Sequence, residues 1–208
     1  MNGQPNKNIG RYMDQNSQHD ATASPANSLE NQLREIYGRV AYTHKTHEKM
    51  ADNYIRKYNR IKGLEITLSA ITASSLLIAL YGDSKCGTII GAILSTILLA
   101  ITLYFKEANL GEQSQKHTVV ASKLWGTRER LLSLLIDLKD GKSLEAVRLD
   151  RNQINNELED IFKAAPRTST TAYAAAQKAL KKDEELYFSE NELDHLLPTQ
   201  LRSTKKEQ

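Results

Sequence analysis

Cysteine is nearly missing from this chain of 208 amino acids, since Cys86 is the only one. A single cysteine excludes an intramolecular disulfide and any metal site built from several thiolates. A strong charge imbalance is also missing, because 28 lysines and arginines oppose 25 acidic residues and leave a net charge of +3. That excess is too small to predict direct nucleic-acid binding. No set of nucleophile, base and orienting group is recognisable, so the sequence predicts no enzyme and no cofactor.

Charged side chains are missing altogether from two stretches, residues 66–81 and 86–105. Helices of these lengths measure about 24 Å and about 30 Å, close to the thickness of a bilayer core. Soluble helices this long keep a polar face, whereas here serine and threonine are scattered among isoleucine, leucine and alanine. We therefore predict two transmembrane helices, 64–81 and 86–105, joined by a short turn.

The basic residues near these two stretches indicate how the chain crosses the bilayer. The turn carries only Lys85, whereas seven basic residues lie on the other side of the predicted spans: Lys49, Arg56, Lys57, Arg60, Lys62, Lys106 and Lys116. Cytoplasmic flanks of spans collect lysine and arginine. Both termini are therefore predicted to be cytoplasmic, with only the turn crossing the membrane.

The remaining residues predict cytoplasmic helices between two polar tails. Residues 1–27 lack apolar periodicity and predict a disordered tail, and residues 203–208 form a polar tail. A helix over 28–62, beginning near Ser28, is indicated by the stripe Leu29, Leu33, Ile36 and Val40. The fold class is thus all-α, an integral membrane helical hairpin extended into a cytoplasmic helical bundle.

Residues 106–202 are predicted to complete that bundle. Residues 106–115 lead into a helix that ends at Asp140-Gly141, and a second helix is broken by Pro166. An alanine-rich helix follows. The last helix begins with a capping box at Ser189 and presents four leucines, which are expected to dock on the bundle: Leu193, Leu196, Leu197 and Leu201.

Two histidines interrupt the apolar stripe of the first helix. His44 and His47 are three residues apart and would suit a shared metal, but no carboxylate or cysteine at ligand spacing completes a set. A solvated or interhelical polar layer is the other interpretation, and we predict no metal site.

Small residues recur at helical spacing in both spans. Gly87, Gly91 and Ser95 share one face of the second span, and Ala70 and Ser74 lie four apart on the first. Small residues let helix backbones approach closely in lipid, where no hydrophobic force drives association. These five residues are predicted to pack transmembrane helices, either within the hairpin alone or also between protomers.

Two further places are suited to signalling or gating. Gly63 would permit a bend where the first helix enters the membrane, and Glu65 is placed to form a charged ring at a pore mouth. Arg167, Thr168 and Ser169 begin a helix, where they would either hold a phosphate or only cap the helix. We treat these three as candidate signal-responsive cytoplasmic residues.

The order of these features resembles the SLATT family of bacterial two-span effector proteins. The resemblance covers residues 28–202 and includes the tyrosine-rich helix entering the hairpin, the segment Ala165–Ser169, and the ending Asp194–Arg202. It implies an effector of an anti-phage conflict system that oligomerises in the inner membrane and forms a pore or disrupts the membrane, causing growth arrest or death. It also implies a nucleotide-messenger synthase or sensor, or a reverse transcriptase, as partner. A non-conducting anchor or scaffold that recruits a signalling partner is the alternative function.

Overall fold

The computed structural model describes residues 24–82 and 85–202. These residues form seven helices, α1 (Pro25–Gly82), α2 (Lys85–Ala108), α3 (Leu110–Lys139), α4 (Leu144–Ala164), α5 (Thr170–Lys181), α6 (Glu190–Leu196) and a 3-10 helix (Thr199–Leu201). The described residues contain no strand, and two of the helices are apolar enough to cross a membrane, which confirms the predicted fold class. Residues 203–208 of the predicted polar tail, residues 83 and 84 of the predicted turn, and residues 1–23 of the predicted N-terminal tail lie outside the described residues. The predicted domain boundaries stay a prediction.

Helix α1 begins one turn earlier than predicted. The Ser24 side chain accepts a hydrogen bond from the Asn27 amide at 3.3 Å, and the Ser24 carbonyl accepts one from the Ser28 amide at 3.0 Å. Ser24 is therefore the N-cap, and Pro25 occupies the first helical position, where a missing N–H costs nothing. The predicted start near Ser28 was wrong because Pro25 can begin a helix as well as precede one.

The chain divides into two compact units. The first combines the start of α1 up to Ala41 with residues Lys123–Ala164, which hold the end of α3 and all of α4. Its core joins the predicted stripe on α1 to leucines of α3 and to the apolar face of α4, all of them buried: Leu29, Leu33, Ile36, Val40, Leu124, Leu131, Leu134, Val147, Ile154 and Leu158. The helical spacing of these residues places them on one face of each helix.

The turn from α3 to α4 is built as the sequence predicted. Gly141 has a φ of +93°, the left-handed conformation that glycine adopts without strain. The Lys142 amide donates to the Asp137 carbonyl at 3.0 Å, and the Gly141 amide donates to the Leu138 carbonyl at 3.3 Å. This pair of bonds is the Schellman motif, which satisfies the last carbonyls of α3.

The second unit contains the membrane hairpin, residues Tyr42–Ser122, together with the C-terminal segment from Ala165. Helix α5 packs through its smallest side chains, since Ala172, Ala176 and Ala179 are buried. The capping box predicted at Ser189 is present, with Glu192 as its partner. The predicted docking was wrong within a single chain for three of the last leucines, because Leu193, Leu196 and Leu201 are 43%, 72% and 66% exposed, whereas Leu197 is half-buried.

Candidate functional site

The apolar parts of α1 and α2 are almost wholly exposed. Only 6% of each apolar window is buried within the chain. A core helix of a soluble protein would be mostly buried, so these helices have the surface of membrane spans. Among the described residues of the two spans, Thr72 and Gly91 are the buried ones and mark the contact between the helices.

Two glycines of α2 make that contact close. A Cβ added at Gly91 would lie 3.0 Å from the Ser75 hydroxyl oxygen and 3.2 Å from a methyl carbon of Leu76. At Gly87 it would lie 3.4 Å from the Ala79 Cβ. The absence of side chains at these two positions lets the α2 backbone reach the first span.

The other three residues of the predicted small-residue faces point elsewhere. Ala70 and Ser74 on α1 and Ser95 on α2 are exposed. The face of α1 that meets the glycines carries Ser75 and Ala79 instead, which the sequence did not distinguish from Ala70 and Ser74. Any packing role of Ala70, Ser74 and Ser95 therefore concerns another molecule and stays a prediction.

Glu65 connects the two spans at the ends opposite the connection between α1 and α2. One carboxylate oxygen accepts a hydrogen bond from the Thr102 hydroxyl of α2 at 2.8 Å, and the other lies 2.9 Å from the Lys62 ammonium group. The side chain is 15% exposed. Both oxygens therefore have partners, and the carboxylate is held on the side of the hairpin where Thr102 lies.

The two helices differ where they leave the membrane. Helix α1 continues unbroken through Gly63, where an added Cβ would meet no atom within 4 Å. Between α2 and α3, Asn109 has a φ of +43°, so the break lies at one residue instead of the predicted linker 106–115. Asparagine is among the few non-glycine residues that tolerate this conformation, which was the available signal in the sequence. A bend at Gly63 stays a prediction.

A buried polar layer lies beyond the spans, on the side away from the connection between α1 and α2. The predicted polar run of α1 is inside the protein, since His44, Lys45, Thr46 and His47 are all 8% exposed or less. His47 and His117 of α3 approach each other through their Nδ1 atoms at 2.8 Å, and the ring of Tyr54 stacks on His117 at 5.6 Å. The His44 ring nitrogen Nδ1 donates to the Ala121 carbonyl at 2.9 Å. The interhelical interpretation of the polar run is therefore correct, although the sequence did not identify His117.

The histidine pair is electrically neutral at neutral pH. Burial, followed by the nearby imidazoles of His117 and His44, lowers the pKa of His47 from 6.5 to about 4. Burial also lowers the pKa of His117. One ring then donates its Nδ1 hydrogen and the other accepts it, an arrangement that a second proton would destroy. No group of three or more histidine, cysteine or acidic side chains in the described part of the chain is arranged to hold a metal ion.

An ion-pair cluster connects this layer to the segment after α5. Glu185 lies 2.6 Å from the Lys45 ammonium and 2.8 Å from that of Lys49. Burial acts to lower the pKa of Lys45, but hydrogen bonds to Glu185 and Glu48 outweigh it and raise the pKa. Hydrogen bonds from the two lysines lower the pKa of Glu185. Each partner thus stabilises the charge of the other.

The three residues proposed to respond to a signal have different surroundings. Arg167 and Thr168 are exposed. Ser169 is the N-cap of α5, where its hydroxyl accepts from the Ala172 amide at 3.1 Å and donates to the Met50 sulfur at 3.3 Å. The capping interpretation is therefore realised at Ser169, and a phosphate-binding role at Arg167 and Thr168 stays a prediction.

Comparison with known families adds one match. Residues 29–192 match a family described as the SMODS and SLOG-associating 2TM effector domain family 4, or SLATT family 4. No curated protein and no solved structure matches the chain. The matched range covers most of the chain, from the buried stripe of α1 to the capping box before α6.

Proposed function

We propose a mechanism for this chain, which belongs to the SMODS and SLOG-associating two-transmembrane effector domain family 4: copies assemble in the inner membrane and permeabilise it when a partner signals. Family membership and the two apolar helices place the chain in a membrane as an effector. What we propose beyond membership of this effector family is that the assembled copies form a pore. It accounts for growth arrest or cell death without any catalytic chemistry.

The observation that carries the proposal is a small-residue surface on the far side of each span. On α1, Ala70 and Ser74 lie two positions before and after the buried Thr72, and thus about 160° around the helix from it. On α2, Thr96 and Ala100 lie about 140° and about 180° from the buried Gly91. All four are exposed. Each span therefore keeps a second surface on which another helix can pack closely.

The small-residue surfaces on the far sides of α1 and α2 allow several copies of the chain to assemble into a ring. If the far side of α1 in one protomer packs on the far side of α2 in the next, the interface is heterologous and repeats in one direction. Such contacts generate a ring when the rotation closes. We infer a homo-oligomer of hairpins standing side by side, with the lipid bilayer as its surroundings.

Enlarging the far side of α1 tests this assembly. Ala70→Leu and Ser74→Leu are expected to abolish crosslinked oligomers and to suppress ion release from liposomes that contain the purified protein, because added side chains hold the neighbouring helix away. Ile71→Phe is the matched control, since Ile71 is 49% exposed and lies about 100° from Thr72 on a flank of the hairpin. If the two leucine variants form no crosslinked oligomers but still release ions at the wild-type rate, the proposed assembly is wrong.

The trigger is proposed to be a nucleotide-signalling partner. The family description names SMODS and SLOG, which fits a neighbouring nucleotide-messenger synthase or sensor. A reverse transcriptase is the other partner implied by the resemblance. The exposed Arg167 and Thr168 offer a cation and a hydroxyl at the start of α5, and the break at Asn109 gives α2 a joint through which the cytoplasmic helices can act.

A non-conducting scaffold remains the second proposed function. The exposed apolar side chains around α6 favour it, since Phe188 and Leu196 are 59% and 72% exposed and are suited to contact another protein. Ion flux separates the two functions. Liposomes with wild-type protein that stay impermeable after addition of the triggering partner would favour the scaffold.

The orientation in the membrane is a separate prediction. Because seven basic residues flank the ends of the spans away from the predicted turn and only Lys85 lies near the turn, a reporter that works only in the cytoplasm is expected to be active when fused after Gln208. In a Cys86→Ser background, an impermeant thiol reagent applied outside should label Ser84→Cys. The control is a cysteine in place of Ser203, which should react only after the cells are opened. Labelling of Ser84→Cys from the cytoplasmic side alone would contradict the orientation.

A further inference from the structure

The two flanks of the hairpin carry different side chains. Residues seven apart in an α-helix lie almost on one line, with a drift of about 20°. On α2 one such line consists of Thr88, Ser95 and Thr102, and all three are exposed. Ile97 lies two positions after Ser95, and thus about 160° from it and at nearly the same depth. Ile97 therefore lies on the opposite flank of α2, which carries apolar side chains.

The first span repeats this asymmetry on the same sides. The hydrogen bond from Thr102 to Glu65 places the Glu65 carboxylate on the hydroxyl-bearing flank, and Ser69 follows it one turn later. The other flank of α1 carries Leu64, Ile71 and Ile78, again seven apart, which are 50%, 49% and 62% exposed. The hairpin thus carries its hydroxyl groups and carboxylate on one flank, interspersed with the exposed Leu76, Leu80 and Leu99, whereas the other flank carries mainly aliphatic side chains.

The polar flank is suited to contact with water, and the aliphatic flank is suited to contact with lipid. A carboxylate facing hydrocarbon is costly, and charged groups within spans almost always face a bundle interior or water. In a ring of hairpins standing side by side, one flank faces the centre and the other faces lipid. The polar flank therefore belongs at the centre.

We propose that the flank formed by Glu65, Ser69, Thr88, Ser95 and Thr102 lines the conducting path, and that the Glu65 carboxylates form a ring at its cytoplasmic mouth that selects cations over anions. This inference rests on the proposed pore. Carboxylate rings favour cations in other channels. Lys62, whose ammonium lies 2.9 Å from Glu65 and whose side chain is 47% exposed, adds a positive charge beside each carboxylate and moderates that preference.

Cysteine accessibility tests which flank meets water. Full-length protein in a Cys86→Ser background is reconstituted in vesicles of phosphatidylethanolamine and phosphatidylglycerol. With the triggering partner added, ion flux is measured before and after a charged, membrane-impermeant methanethiosulfonate reagent. Ser95→Cys is expected to lose most of its flux, because the reagent attaches a bulky charge inside the path. Ile97→Cys, its matched control at nearly the same depth, should keep its flux because that thiol faces lipid.

Ion selectivity tests the ring. Glu65→Gln keeps an acceptor for Thr102 but removes the charge, so the permeability ratio of potassium to chloride should fall to one or below, where Lys62 alone sets the field. Lys62→Gln should raise the same ratio above the wild-type value. Both substitutions keep the number of heavy atoms in the side chain, and crosslinking of each variant checks its assembly.

The outcomes separate the lining from the pore itself. Vesicles with assembled wild-type protein that pass no ions even after the triggering partner is added would overturn both the proposed pore and this inference. Flux that is present, but equally sensitive to the reagent at Ser95→Cys and Ile97→Cys, would overturn the lining alone. An unchanged permeability ratio in Glu65→Gln would overturn the carboxylate ring.

Discussion

Replacing Gly91 with leucine is expected to separate the two spans and to abolish activity in the membrane. The position has no room, since even a Cβ would lie 3.0 Å from the Ser75 hydroxyl oxygen and 3.2 Å from Leu76. Leucine adds three further carbon atoms in the same direction. Inserting methylenes into a packed contact typically costs about 1–3 kcal/mol, and the attraction between the helices falls sharply with an added ångström of separation.

A disulfide within the hairpin reports that separation directly. A Cβ at Gly87 would lie 3.4 Å from the Ala79 Cβ, close to the spacing of a disulfide. In a Cys86→Ser background, Ala79→Cys with Gly87→Cys should therefore crosslink readily. Adding Gly91→Leu should prevent the crosslink.

Gly82→Leu is the control for that substitution. It makes the same change at the end of α1, where an added Cβ would meet no atom within 4 Å. The crosslink should form as in the parent. Equal crosslinking in the Gly91→Leu variant would show that the glycine contact does not hold the spans together.

The sequence predicted those features of the fold that depend on local composition. Two stretches without charge predicted the spans, the spacing of Leu29, Leu33, Ile36 and Val40 predicted a buried stripe, and Ser189 with Glu192 predicted a capping box. Each of these signals is contained within one helix. None requires knowledge of how helices are rotated against each other.

The features that the sequence did not predict depend on contacts between distant segments. His47 and His117 are 70 residues apart, and only the pairing of α1 with α3 makes them partners. Gly91 could be recognised as a packing residue, but its contact with Ser75 depends on the rotation of α1. For the same reason the sequence did not separate Ser75 and Ala79, which face α2, from Ala70 and Ser74, which do not.

The buried histidine pair predicts that the second unit loses stability in acid. His47 is 2% exposed, and the imidazoles of His117 and His44 act on its charge, while Glu48 lies 3.6 Å from His44 and 2.7 Å from Lys45. Because the folded-state pKa of His47 is about 4 while its usual value is 6.5, the unfolded chain binds more protons between these values. The stabilising contribution is therefore complete above pH 6.5 and is lost as the pH falls toward 4. A shift of this size corresponds to about 3 kcal/mol over the whole interval.

Thermal unfolding of the full-length protein in detergent at pH 7.5, 6 and 5 measures this dependence. Wild type is expected to unfold at progressively lower temperature as the pH falls. His47→Gln keeps hydrogen-bonding groups beside His117 but cannot titrate, so it should be less stable at pH 7.5 and lose less stability on acidification. His195→Gln is the matched control, because His195 is exposed and bonds only within its own helix, to the Asn191 carbonyl at 2.7 Å. An equal fall in unfolding temperature for wild type and His47→Gln would show that groups other than His47 cause the acid sensitivity.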